Sequence, residues 1–520
     1  MIKQIMLILK FKEVFIISSV ISLKDLLNTL DYRHLYNWID NTYVNGISFD
    51  SRKVKPGHIF VAVKGQLHDG HNFIQDALNK GALAVLAEKE PAAGCSVTWI
   101  QVPDSRLALA QLSTCFFQHP SRELLLTGVT GTCGKTTISS LINHIYYTAD
   151  LNSGLIGTVQ IQNGSQSWAA NMTTPDALEL QKMLRLMVNS GVTHAAMEVS
   201  SHGLAQKRVN GTNFRGCIFT NISPNHLDFH QDVEEYAQTK KRLASLVETG
   251  GFILANGDDP FFRTLKKPYE STLFFFGEDP SCDFHIHSIS SGLQGSSFKV
   301  SLPIIKQLEN ITSQKDSLHL HIPLLGRHNV YNAAAAAAAA LLINIQEENI
   351  IKGLASFRGV ERRMQLHRFH DLYIIDDTAM SPGSIDAVFN TLEELPFSDL
   401  VIVNAIRGSR GTRVNEDNGR FLARWSKNLK VRQFFSTSSI SHVDERNKVL
   451  PEEEEAFFQG THSLGVSPKH FGELPEAITQ ALKVVKPGTT LLLLGAQGMN
   501  AGLATVQEQL EKQQILVALS

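Results

Sequence analysis

The sequence predicts an α/β fold in three domains. A central doubly wound, mostly parallel sheet surrounds a glycine-rich loop, and a Rossmann-like α/β domain follows at the C-terminal end. Three observations predict it. The chain has 520 residues, and about 150 residues per domain suggests about three domains. Strand-like apolar runs alternate with helical patterns, the order that a parallel sheet requires. One such run, Leu124-Leu125-Leu126, passes directly into a Gly/Thr loop.

The elements follow in order. Residues 1–20 read as an extension, an extra strand or an upstream start; their longest uncharged run, Val14 to Leu23, is too short to span a bilayer. No signal-peptide cleavage site is clear. Residues 21–107 form a first domain of short helices and strands, with turns at Lys55-Pro56-Gly57 and His68-Asp69-Gly70-His71. Residues 108–357 form the central domain, with strand-like runs at Cys217–Thr220 and Phe252–Ala255. Within it, 283–322 alternates as antiparallel edge strands do, and the eight alanines at 333–340 mark a buried helix. Residues 358–520 restart the α/β pattern, with strands at Leu372–Ile375, 399–404 and Thr490–Leu494 and a helix over 384–394. Pro451 and the Glu452–Glu455 run mark an exposed acidic insertion.

Composition narrows the function. Lysine and arginine total 48 against 50 acids, so the net charge is −2 and general nucleic-acid binding has no electrostatic support. Hydrophobic residues at 43% exclude wholesale disorder. The five cysteines are odd in number and form no CxxC pair, which excludes a disulfide framework and a zinc site and suits a reducing cytosol.

The strongest chemical signal is Gly128-Val-Thr-Gly131-Thr132-Cys133-Gly134-Lys135-Thr136-Thr137. Glycines let backbone N–H groups crowd around phosphate oxygens, the following helix adds its dipole, Lys135 adds charge, and the Thr136 hydroxyl suits Mg²⁺. The first glycine stands one residue further back than the usual spacing. Cys133 reads as a small tolerated side chain rather than a redox switch. Glu198 ends an apolar strand in Met197-Glu198-Val-Ser200-Ser201-His202-Gly203, where a metal-bound nucleotide sits in open α/β sheets. In Asn225-His226-Leu-Asp228-Phe-His230, two histidines four apart flank an acid, which leaves structural and metal or catalytic readings both open.

These residues resemble the Mur ligase family. The loop is similar to its GVTGTNGKTT, with Cys133 for the usual Asn. Met172-Thr173-Thr174-Pro175-Asp176, MEVSSHGL (197–204), Phe219-Thr220-Asn221 with His226-Leu-Asp228, Tyr236-Ala-Gln-Thr-Lys240 and Gly326-Arg-His-Asn329-Val-Tyr-Asn332 occur in the family's order. Asp50-Ser51-Arg52 through Gly65, with Asp69-Gly70-His71, resembles the uridine-binding domain of its MurE type. The resemblance implies an ATP-dependent amide-forming ligase. It would add an amino acid to UDP-MurNAc-L-Ala-D-Glu through an acyl phosphate, in peptidoglycan precursor synthesis in the cytoplasm. It implies that Gly131, Thr132, Gly134, Lys135, Thr136, Thr137, Asn329, Asn332, Arg363 and Asp377 serve ATP. Ser51, Thr173, Thr174, Ser200 and Arg208 would grip the UDP-MurNAc-peptide. Thr136, Glu198, His226 and a carbamylated Lys240 would serve Mg²⁺, with Lys135, Lys240 and His226 in catalysis. A monomer is expected, with no nucleic-acid partner and no stable membrane insertion.

The third domain departs from the family. Ile375-Asp376-Asp377-Thr378-Ala379-Met380-Ser381-Pro382 stands for DYAHTPD, and Ala405-Ile-Arg407-Gly408-Ser-Arg410-Gly411-Thr-Arg413 stands for GGDRDRGKR. The DNPR-type motif is absent, and Gly495-Ala-Gln497-Gly498-Met-Asn500 stands for GKGHE. These losses fall on the side that chooses the amino acid. A ligase for a different carboxylate and a nucleotide-binding pseudoenzyme are the alternatives.

Overall fold

The computed structural model describes residues 20–65, 68–225, 229–265, 272–302, 315–369, 371–397 and 399–519. The extension at 1–20 lies, apart from Val20, outside them. The chain forms two compact units. One gathers residues up to Gly128 with Asn152–Arg215 and Arg242–Gly251; the other gathers Val129–Leu151, Gly216–Lys241 and everything from Phe252 onward.

The first unit carries a five-stranded sheet in the order His34–Tyr36, Thr98–Gln101, Ala84–Ala87, His58–Val61, Gly46–Ser48. All pairs but the first are parallel. Alternate residues of each strand enter opposite cores. Ile59, Val61 and Leu86 pack with Leu109 and Leu112 of the helix Ser105–Phe116, while Phe60, Val85 and Trp99 pack with Ala77. Both faces are covered, so these strands read as unbroken apolar runs. Asp104 starts the helix by accepting the Leu107 N–H at 2.9 Å. The same unit holds Gln166–Ala169, Gln160–Asn163 and Ser153–Ile156 as an antiparallel meander, with His194–Glu198 parallel to the last.

In the second unit, residues 252–256 of the strand Val247–Asn256, Thr272–Gly277 and Phe284–Gly292 run parallel. Gly295–Ser301 and Ser317–Ile322 then add antiparallel strands, as the alternation over 283–322 suggests. The alanine run lies inside the helix Arg327–Leu342, every one of the eight at most 1% exposed. Small side chains let this helix pack closely with the helix Lys135–Thr148.

The third-domain sheet has the order Gln365–Phe369, Leu372–Asp377, Thr489–Leu494, Asp399–Ala405, Gln433–Thr437, Lys469–Phe471. Only the first pair is antiparallel. One expectation fails here. Pro451–His462 is not an exposed acidic insertion but a helix packed on Thr412–Asn428. Gly419 and Gly460 let the two backbones touch, since a Cβ on Gly460 would stand 2.1 Å from the Glu416 carbonyl oxygen. Glu453 is buried rather than solvated. No helix among the described residues is long and apolar enough to cross a membrane.

Candidate active site

The glycine-rich loop closes the strand Leu125–Thr130 and opens the helix Lys135–Thr148. Gly134 holds φ +88°, a conformation that a side chain disfavours, and a Cβ there would stand 2.6 Å from Asn332 Oδ1. Asn221 shapes the loop. Its carbonyl accepts the Thr132 N–H at 2.8 Å, and its Oδ1 accepts the Cys133 N–H at 3.0 Å. The Thr220 hydroxyl donates to the Cys133 carbonyl at 2.6 Å. Lys135 Nζ curls back onto the Gly131 and Thr132 carbonyls, 2.9 Å from each. Thr136 and Thr137 lie in the first turn of the helix. Burial raises the Cys133 thiol above its ordinary pKa, the opposite of an activated thiolate.

The second unit adds further groups to this loop. Asn332 donates to Asn329 Oδ1 at 3.0 Å, and Asn329 donates to the Leu325 carbonyl at 2.8 Å, so the pair is fixed beside Gly134. Arg363 and Asp377 stand close enough for their charges to act on Cys133. Asp377 accepts the N–H groups of Met364 and Ala379, both at 2.7 Å, yet burial pushes its pKa up to about 6 against the pull of Arg363.

Lys240 is 1% exposed on the helix Val233–Lys241, while its neighbour Lys241 reaches outward to Thr264. Its Nζ lies 4.5 Å from the Tyr236 ring centre and has no hydrogen-bond or ion-pair partner among the described residues. Burial, then the charge of Lys135, pushes its pKa well below the ordinary lysine value. The Tyr236 hydroxyl meets Thr132 Oγ1 at 3.3 Å, which ties this helix to the loop. His226 and Asp228 lie outside the described residues. His230 packs against Tyr236 and meets Glu235 at 3.3 Å, the surroundings of a core histidine.

The first unit holds a separate polar cluster. Glu198 is fully buried at the end of His194–Glu198. Its carboxylate accepts the Thr158 N–H at 2.6 Å and the Thr158 hydroxyl at 2.9 Å. Thr173 Oγ1 lies 3.0 Å from the same hydroxyl. Thr174 donates to the Glu198 carbonyl and accepts the Ser200 N–H, both at 3.0 Å, and Arg208 donates to the Thr174 carbonyl at 2.8 Å. Four expected substrate residues and the expected metal acid are thereby brought together. Ser51 is not linked to them by any hydrogen bond among the described residues; its carbonyl accepts Lys80 Nζ at 3.0 Å. Thr158 is the residue that the sequence reading missed. Its signal is Gly157 after the strand Ser153–Ile156, where a Cβ would stand 2.8 Å from Glu198 Oε1.

The donor set bears on magnesium. Among the described residues, no three His, Cys, Asp or Glu side chains gather closely enough to hold a metal. Magnesium commonly takes one or two carboxylates and completes its shell with water and substrate phosphates. The hydroxyls of Thr136 and Thr137 at the phosphate loop fit that pattern.

Three family models match the chain: the Mur ligase middle domain over residues 129–340, the Mur ligase family catalytic domain over 43–116, and the Mur ligase glutamate ligase domain over 362–497. A relative from Chlorobaculum tepidum is 33% identical over 465 residues, 87% of each chain. The chain belongs to the Mur ligase family. That relative is named a UDP-N-acetylmuramoyl-L-alanyl-D-glutamate–2,6-diaminopimelate ligase. A second Mur ligase of the same name, from Clostridioides difficile, is 34% identical over 75% of this chain and 78% of its own. A solved structure with that name superposes with a TM-score of 0.69 at 24% identity, covering 95% of this chain and all of that one.

Proposed function

We propose that this Mur ligase uses ATP to join an amino acid to UDP-MurNAc-L-Ala-D-Glu, forming an amide through an acyl phosphate. The observation that carries the reading is Lys240. Among the described residues this buried lysine has no anionic partner, and it is close enough to Lys135 to feel its charge. Its amine, once neutral, would add CO₂: an N–C bond would form, one proton would leave, and the resulting carbamate would offer oxygen ligands. Glu198, Thr136, His226 and this carbamate are the residues that would hold Mg²⁺. When bound, Mg²⁺ would offset the negative charge of the phosphoryl group in transfer.

The chain's own residues then do the following. Backbone N–H groups around Gly131 to Thr137 cradle phosphate oxygens, and Lys135 leaves the loop carbonyls to contact them. Asn329, Asn332, Arg363 and Asp377 support the nucleotide. Thr173, Thr174, Ser200 and Arg208 grip the UDP-substrate so that its carboxylate meets the transferred phosphoryl group. The amine of the incoming amino acid attacks the acyl phosphate, the new C–N bond replaces the C–O bond, and phosphate leaves. Residues 21–107 are assigned to the UDP-substrate, 108–357 to ATP and 358–520 to the amino acid, with Ser51 in the first of these. We place the enzyme in the cytoplasm, as a monomer; five unpaired cysteines suit that compartment.

Incubation of the full chain with ATP, Mg²⁺, UDP-MurNAc-L-Ala-D-Glu and an amino-acid panel is expected to release phosphate and yield an amide product of matching mass. Lys240→Ala is expected to lower turnover at least a hundredfold while circular dichroism stays unchanged. Full activity in that variant would remove Lys240 from the mechanism. Product from another carboxylate alone would favour a ligase for a different carboxylate.

A further inference from the structure

The central domain passes into the third through residues 357–364, between the helix Glu347–Ser356 and the strand Gln365–Phe369. Three residues of this passage hold left-handed backbone: Gly359 at φ +85°, Arg362 at φ +56° and Met364 at φ +52°. Glycine adopts that conformation freely. An arginine and a methionine adopt it at a cost, and such strain persists only where the surroundings enforce it.

The surroundings of Arg362 do so. The residue is 6% exposed, and its guanidinium is spent on the third domain. Nε donates to the buried Asp376 at 3.1 Å. Nη1 donates to the Ala496 carbonyl at 2.9 Å and to Asn500 Oδ1 at 2.5 Å, and Nη2 donates to the Gly495 carbonyl at 2.5 Å. The main chain is tied as well. The Arg362 N–H donates to Gln365 Oε1 at 3.0 Å, and the Arg362 carbonyl accepts the Thr378 N–H at 3.1 Å. A planar fork can meet these separate acceptors together; a single ammonium cannot.

Arg363 is the opposite case. It is half-buried, and its side chain makes no hydrogen bond or ion pair among the described residues. Its charge acts on Asp377 and on Cys133 in the phosphate loop. Its backbone is held on both sides: the Arg363 N–H donates to the Val360 carbonyl at 3.1 Å, and the next N–H, of Met364, donates to Asp377 at 2.7 Å. One arginine is thus fully tied, and its neighbour is left available toward the loop.

We propose that Arg362 is a positioning residue for the nucleotide. By clamping the left-handed passage to Asp376 and to the loop 495–500, it holds Arg363 toward the phosphate loop. The proposal rests on the ATP-dependent reading above and adds to it a residue whose guanidinium serves the protein rather than the ligand.

The test measures binding of a non-hydrolysable ATP analogue with Mg²⁺ to the full chain by calorimetry, with a melting curve for each variant. Arg362→Lys keeps a positive charge beside Asp376 but loses the fork. It is expected to raise the analogue Kd at least fivefold while the Kd for UDP-MurNAc-L-Ala-D-Glu stays within twofold. Asn500→Ala, at an exposed site, is expected to raise the analogue Kd at least twofold, and it carries the test if Arg362→Lys fails to fold. Arg363→Ala is expected to weaken the analogue by itself, and Arg362→Lys added to it should change Kd by less than twofold. A lower melting temperature with an unchanged analogue Kd overturns the proposal, because Arg362 would then only stabilise the fold. Effects of Arg362→Lys and Arg363→Ala that multiply overturn the route through Arg363. No analogue binding to the unaltered chain overturns the ATP reading and this proposal with it. Analogue binding without amide product from any amino acid overturns the ligase reading alone, since the Kd ratios still decide the role of Arg362.

Discussion

Asp377 shows how one residue can be visible in a sequence while its energetics are not. Its place after a strand in an Asp-Asp pair marks it as a candidate, but only the fold shows a carboxyl buried beneath two N–H groups with a pKa of about 6 instead of 3.8. A folded-state pKa raised above the unfolded value means that the folded protein binds the proton more tightly. The associated stability is therefore present below about pH 4 and is lost as pH rises through 6, by about 3 kcal/mol for a shift of two units. Asp377→Asn cannot titrate. The melting temperature of the unaltered protein minus that of the variant is expected to be greatest near pH 4 and to fall toward pH 7. A difference that stays flat across that range would contradict the assignment. Lys240 is the converse case: the family motif singles it out from Lys241 in the sequence, and the fold adds that Lys240 is the buried one of the two.

At the scale of elements, periodicity located several of the central strands, because buried parallel strands are nearly continuous apolar runs. The helix Pro451–His462 escaped that reading. Its first turn is Glu-rich, which by composition describes a solvated surface, and the partners of Glu453 lie on a loop over forty residues away. Its packing depends on Gly460, where a Cβ would meet a backbone oxygen that cannot rotate aside. Gly460→Ala is expected to force the two helices apart and to cost about 2 kcal/mol. Urea denaturation should show a lower midpoint with an unchanged slope, and an unchanged midpoint would mean that the helices adjust freely.

For the whole molecule, the functional groups are distributed among segments that the chain visits more than once. The loop residues Gly131 to Thr137 belong to one unit with Lys240, Asn332 and Asp377, and Glu198 belongs to the other with Thr158, Thr174 and Arg208. Ligand that binds only the folded chain adds stability as RT ln(1 + [L]/Kd), about 2.7 kcal/mol at a hundredfold excess over Kd. Mg-ATP at that concentration is expected to raise the melting temperature by several degrees. Lys135→Ala should abolish most of the rise, and a variant that keeps all of it would show that the nucleotide binds without the loop lysine.

By itself the sequence determined the α/β class, the family and the phosphate loop, because each depends on short-range pattern: strand, glycines, lysine and helix in immediate succession. It also named most members of the two clusters, since their motifs keep fixed spacing. Tertiary structure alone decided which of two neighbouring lysines is buried, that Thr158 holds Glu198, and that Glu453 reaches the arginine loop. Those facts depend on burial and on hydrogen bonds between distant segments, and neither has a local signature.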